Sequence, residues 1–380
     1  MKKLVALLLV VVMSFALIAC GTPQSTTSDQ PSQNGEGNKD GKYDIVMLMD
    51  NVTGSINDGS FLEGSWNGIS KYCEKTGSTA TYFTPAEESK EAYLSNIEQA
   101  VGVGAKVIVC PGYLFEEAIF EAQETYPEVK FILIDGRPHN ADYSEYKTAD
   151  NTYSVLCAEE EAGFLAGYAA VQEGFRNLAF FGGMAVTSVA RFGYGYVQGA
   201  DYAAQELGLN QGDVKMTYWY SGDFIPSPEK LTTVTGWYNT GTEIIFSCGG
   251  SICDNAFSAA ETLGKKTIGV DIDQAEESDT VITSAMKNLE KATYDALIDF
   301  SEDKFPGGQD ATLGTAEDYV GLPTEESSWR FEKFTVDDYN KIYEKLKKDE
   351  GGLASGLLTD ADIQAPTEIP VKIVELQYNN

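Results

Sequence analysis

The stretch "KVIVCPGYLFEEAIFEAQETYPEVKFILIDG", residues 106–136, sets a short apolar run, a segment of helical length and a second apolar run in a row. "KVIVC" (106–110) and "KFILID" (130–135) read as strands, and residues 114–126 between them as a helix. Strands that are apolar throughout are buried on both faces. A parallel sheet covered by its own crossover helices has that property.

The same rhythm extends in both directions. Upstream stand a strand at 43–49, a helix at 60–75, a strand at 79–83 and a helix at 88–102. Downstream the pattern restarts with a helix at 159–173, "NLAFFGG" (177–183), a helix at 188–207 and "VKMTYWY" (214–220). A helix at 228–240, "EIIFSCGG" (243–250), a helix at 252–263 and "KTIGVD" (266–271) complete it. Two successive open α/β sheets give two similar lobes. A (β/α)8 barrel shows the same periodicity, which alone does not separate the two. After 281 the sequence predicts a helix ("ITSAMKNLEKATYDALIDF"), a turn at Gly307-Gly308, a strand near 317–322, a helix at 336–348 and a strand near 370–376. This tail is expected to cross back between the lobes. The expected division is 43–150 with about 281–322 in the first lobe, and 151–280 with about 323–380 in the second.

The N-terminus carries its own message. Lys2 and Lys3 precede an apolar stretch from Leu4 to Ala19, which predicts a signal peptide over 1–19. It closes on Leu17-Ile18-Ala19-Cys20-Gly21, a lipobox pattern that makes Cys20 the expected lipidated residue. Residues 21–41 contain no large apolar side chain and read as a tether spanning on the order of 25 Å. The expected location is therefore the extracytoplasmic face of the cell membrane, through a lipid anchor.

With 58 acidic and 27 basic residues the formal net charge is −31, which repels nucleic acid and polyphosphates. The 43% hydrophobic content is that of a globular chain. Cys248 and Cys253 flank a "GGSI" turn that would let them pair, although buried free thiols are the preferred reading.

Known chemistries can then be tested. A calcium loop from Asp271 fails, since Glu276 falls where glycine is needed and Ile282 where the bidentate glutamate belongs. Zinc has no support, because His139 is the sole histidine and no short-spaced cysteine pairs exist. No G-x-S-x-G elbow and no phosphate-binding glycine loop occur. No cofactor and no catalytic set are expected. Asp271 and Asp273 in "TIGVDIDQ" would share a face if the strand stays extended. They offer acceptors for a ligand's hydroxyls or, alternatively, a cap for a following helix. Phe61 and Phe224 stand at loop tips where they could sandwich a flat ring, or simply lid the core.

"EEEAGFLAGYAA" (159–170), "FFGGM" (180–184) and "RFGYGYVQGA" (191–200) resemble consecutive blocks of the basic membrane protein family. "YSGDF" (220–224), "SCGG" (247–250), "IGVDIDQ" (268–274) and "TSAMK" (283–287) continue the resemblance in order. It implies an α/β type I periplasmic-binding-protein clamshell, two open parallel-sheet lobes joined by crossovers. It also implies a lipoprotein that captures a nucleoside, in the purine class, for an ABC permease. By the same resemblance Phe61 and Phe224 stack the base, Asp50 binds its edge and Asp271 receives the ribose hydroxyls. Lys287 donates to the same sugar, and Gly249 lets the backbone approach the ligand. The loop "MDNVTGSINDGSF" is longer than the family pattern, so Asn57 or Asp58 are alternatives for the contacts of Asp50. A monomer is expected. The competing readings are a receptor for a free sugar and a surface glycoside or nucleoside hydrolase.

Overall fold

Among the residues that the computed structural model describes, 41–50 and 55–379, the strands form two sheets. The expected signal peptide, Cys20 and most of the expected tether lie outside the described residues. The first sheet contains β1 (Ile45–Leu48), β2 (Ala80–Phe83), β3 (Val107–Pro111), β4 (Lys130–Ile134), β5 (Thr152–Cys157) and β11 (Gln309–Leu313). Its order is β11-β5-β4-β3-β1-β2, and every pairing is parallel. The second contains β6 (Asn177–Gly182), β7 (Val214–Tyr220), β8 (Ile244–Cys248), β9 (Lys266–Asp271), β10 (Val281–Lys287), β12 (Val320–Gly321) and β13 (Val374–Asn379). Its order is β12-β10-β9-β8-β6-β7-β13, antiparallel only between β10 and β12. Two open sheets replace the single closed sheet of a barrel.

Alternation along each strand divides the core. Ile45 and Met47 of β1 enter one apolar cluster, Val46 and Leu48 the cluster on the opposite face. Leu178 and Phe180 of β6 are likewise separated from Ala179 and Phe181. Both faces of both sheets are therefore covered, as continuous apolar strands require.

The covering helices of the first sheet are α1 (Phe61–Thr76), α2 (Lys90–Gly102), α3 (Glu116–Thr125) and α8 (Leu289–Ser301). Those of the second include α4 (Glu159–Glu173), α5 (Thr187–Glu206), α6 (Pro228–Asn239), α7 (Cys253–Leu263) and α9 (Val336–Lys347). α4 and α5 pack backbone to backbone. A Cβ at Gly163 would stand 2.1 Å from Phe192 O, one at Gly167 2.1 Å from Tyr196 O, and one at Gly199 1.9 Å from Phe164 O.

The pairings move the expected boundaries. Residues 152–157 pair with β4 and β11, so the chain leaves the first sheet after Cys157, not after 150. Residues 281–287, expected as the start of a helix in the first lobe, form β10 between β9 and β12 of the second sheet. The β-branched run Val281-Ile282-Thr283 favours that strand. Helix α8 begins only at Leu289, where the Asn288 side chain accepts from Lys291 N–H and caps it. The chain thus crosses between lobes three times: β5 to α4, β10 to α8 and β11 to β12.

Candidate functional site

The carboxyl ends of the parallel strands converge on one cavity of about 570 Å³, counting the part open to solvent. That is the usual place for a small-molecule site on open α/β sheets. From the first lobe come Asp50 after β1, Gly112 and Tyr113 after β3, Asp135 after β4, and Phe61 at the start of α1. From the second come Phe224 after β7, Cys248 at the end of β8 with Gly249 and Gly250 after it, Asp271 at the end of β9 and Lys287 at the end of β10. Val186, Val189 and Phe192 at the start of α5 add apolar wall.

Six of the eight residues expected to meet the ligand line this cavity: Asp50, Phe61, Phe224, Gly249, Asp271 and Lys287. Asn57 and Asp58 do not. Asn57 is exposed. The Asp58 carboxylate accepts the N–H groups of Ser60, Leu62 and Glu63 at 2.9, 3.0 and 3.0 Å. It is spent on the orphan donors of the α1 N-terminus, and burial still pushes its carboxyl up to about 6.

The glycine motifs make room for Phe224. A Cβ on Gly183 would stand 2.3 Å from the Phe224 ring, and one on Gly249 3.0 Å from it. Gly249 has φ +155°, which side chains rarely adopt. Phe224 itself is 6% exposed.

The acidic corner is the most charged part of the cavity. Lys287 is 2% exposed, and its ammonium contacts Asp135 Oδ2 directly. The same nitrogen lies 3.4 Å from Glu159 Oε1, 3.6 Å from Asp271 Oδ1 and 4.7 Å from the centre of the Phe61 ring. Burial alone would lower the lysine's pKa, but the surrounding carboxylates, Asp135 foremost, outweigh it and hold it well above its ordinary value. Burial raises Asp271, and Lys287 and Ser60 oppose that shift. Burial pushes Glu159 up to about 8, Asp135 adds to this, and Lys287 opposes it. Asp135, Cys157 and Glu159 bring ligand atoms within 4.8 Å of one another. The cation in that corner is Lys287 itself.

The two aspartates part company. Asp271 has φ +68°, so the extended geometry ends there and the alternation with it. Its Oδ2 accepts from Ser60 Oγ at 2.7 Å, a bond from the first lobe to the second. Asp273 instead accepts from Ala275 N–H at 3.1 Å and from the Ser328 hydroxyl. No helix follows for either to cap. Gln274 makes a second bond between the lobes, Nε2 to Gly59 O at 2.8 Å, while its Oε1 accepts from Val270 N–H at 2.8 Å.

Asp135 and Glu159 were missed as site residues. Asp135 carries a detectable sign, an acid directly after an apolar strand in "FILIDG", matching Asp271 in "TIGVD". Glu159 has no local sign, because only the fold brings it behind Lys287. Cys248 and Cys253 are free and buried, as preferred.

Two α/β lobes, three crossovers and a cavity at facing strand ends define a clamshell of the solute-binding-protein kind. The chain belongs to the Bmp family, described as ABC transporter substrate-binding protein PnrA-like, whose model matches residues 45–352. It is 26% identical over 310 residues to the ABC transporter nucleoside-binding protein BmpA of Lactococcus lactis subsp. cremoris, covering 76% of this chain and 84% of that one. It is 28% identical over 334 residues to basic membrane protein A of Borreliella burgdorferi, covering 86% and 89%. Among solved structures, an ABC transporter solute-binding protein from Aeropyrum pernix K1 superposes with a TM-score of 0.70. That structure is 24% identical, covers 84% of this chain and 94% of its own, and speaks to the fold alone.

Proposed function

We propose that this substrate-binding protein captures a nucleoside, of the purine class, and delivers it to the permease of an ABC importer without altering it. The observation that carries this reading is the pair of aromatic rings, Phe61 from one lobe and Phe224 from the other, lining one cavity with the Asp135, Asp271 and Lys287 side chains. An aromatic stack on a base contributes about 1–3 kcal/mol. Asp271 and Asp135 supply carboxylate acceptors for sugar hydroxyls, and Lys287 supplies a donor. Asp135 Oδ1 is buried without a protein partner among the described residues, which leaves it an acceptor for a ligand donor. Asp50 serves the base edge. A neutral nucleoside suits this acidic cavity better than a nucleotide. The relative named as nucleoside-binding supports the same choice.

The protein acts as a monomer held to the extracytoplasmic face of the cell membrane through lipid on Cys20. Mass spectrometry of the purified protein with its retained ligand tests the reading. An intact nucleoside that survives long incubation is expected. A free sugar as ligand, or cleavage to base and sugar, overturns it. Labelled palmitate should enter the wild type and not Cys20→Ala; label persisting in the variant refutes the anchor.

A further inference from the structure

Glu159 opens α4 immediately after the chain has crossed from β5. Lys287 ends β10 immediately before the chain crosses back to α8. The two residues thus stand on two different crossovers, and their charged groups meet at 3.4 Å. Glu159 is 2% exposed and does not line the cavity, whereas the other two carboxylates on Lys287, Asp135 and Asp271, both do. We propose that Glu159 is a positioning residue for ligand capture: from behind the cavity wall it sets where the Lys287 ammonium stands. The inference rests on Lys287 being a ligand donor, as in the function proposed above.

The groups facing Glu159 come from five elements. Asp135 follows β4, Cys157 ends β5, Lys287 ends β10, Arg191 comes from α5, and Glu160 is its neighbour on α4. Arg191 is tied to Asp360 at 2.7 Å. Burial holds Cys157 neutral, well above the ordinary thiol range, and Lys287 stays charged. Glu159, pushed to about 8, and Glu160, pushed by burial to about 7, change charge near neutrality. When Glu159 is protonated, the ammonium is shared by two carboxylates on the cavity wall. When it ionises, a third carboxylate draws the ammonium back from the ligand. Affinity therefore falls as pH rises through about 8.

Calorimetric titration with adenosine, whose base stays neutral throughout, between about pH 6 and pH 9 tests this. Wild type should weaken by roughly five- to tenfold across the range, a modest coupling. Glu159→Gln should give a flat profile, while Glu159→Asp, which keeps the acid, and Glu160→Gln should both retain the slope. Melting curves establish that each variant is folded. A slope that survives Glu159→Gln, or vanishes in Glu160→Gln, overturns the inference. So does a flat wild-type profile with adenosine bound. No adenosine binding at any pH overturns the nucleoside reading itself, and this inference with it.

Discussion

At Asp271 the backbone turns left-handed and aims the carboxylate into the cavity, while Asp273, two positions on, is held by Ser328 and Ala275. The pair thus separates two jobs that look alike on paper. Asp271→Asn should weaken nucleoside binding far more than Asp273→Asn; asparagine is chosen because it tolerates φ near +68°. Losing charge-assisted bonds to two buried hydroxyls should cost about 2–4 kcal/mol, roughly 30- to 1000-fold in dissociation constant. A 2′,3′-dideoxynucleoside should bind the wild type weakly and lose little more in Asp271→Asn. Calorimetry on both folded variants decides; equal small losses would remove the sugar contact from Asp271.

Helices α4 and α5 show how composition becomes architecture. Gly163 and Gly167 on one, Gly195 and Gly199 on the other, let each backbone rest on its neighbour. The "EAGFLAGYAA" and "GYGYVQGA" blocks are therefore packing surfaces and not nucleotide loops. Gly199→Ala would drive its Cβ against Phe164 O and should destabilise the fold by about 1–3 kcal/mol. Gly236→Ala, on α6 with open space around it, should leave the melting temperature unchanged or raise it slightly. Equal melting temperatures for the Gly199 variant and wild type would refute the close packing.

Across the cleft run the Ser60–Asp271 and Gln274–Gly59 hydrogen bonds and the Lys287–Asp135 ion pair. Such bonds favour the closed arrangement, and a ligand touching both lobes adds to them. Nucleoside should therefore reduce the radius of gyration measured by solution scattering on a sample stripped of ligand. An unchanged curve at saturation would count against hinge closure. The buried glutamates add a pH dependence to stability. Glu159 and Glu160 have folded-state pKa values raised to about 8 and about 7, so the folded chain binds more protons than the unfolded one. Their contribution is complete below about 4.5 and is lost as pH rises through those values. Ligand-free protein should melt at higher temperature near pH 6 than near pH 8.5, roughly, and the gap should narrow in a Glu159→Gln/Glu160→Gln variant. An undiminished gap refutes the assignment.

Many buried strands and helices are legible in local patterns, β3 and β4 by continuous apolar runs, α4 and α5 by their length and spacing, but the buried strand β5, "TYSVLC", is not among those expected. The six cavity residues were legible through resemblance and through their place after strands. β11, "QDATL", was not, because a polar edge strand carries no apolar signal. β10 was hidden by the helical spacing that follows it. The role of Asp58 turned on whether its carboxylate had other donors to satisfy, and the first turn of α1 supplied three. Local sequence chooses the backbone conformation, since that depends on near neighbours. Which charges face one another across 128 residues, as Glu159 and Lys287 do, depends on where three crossovers return the chain, and only the packed lobes fix that.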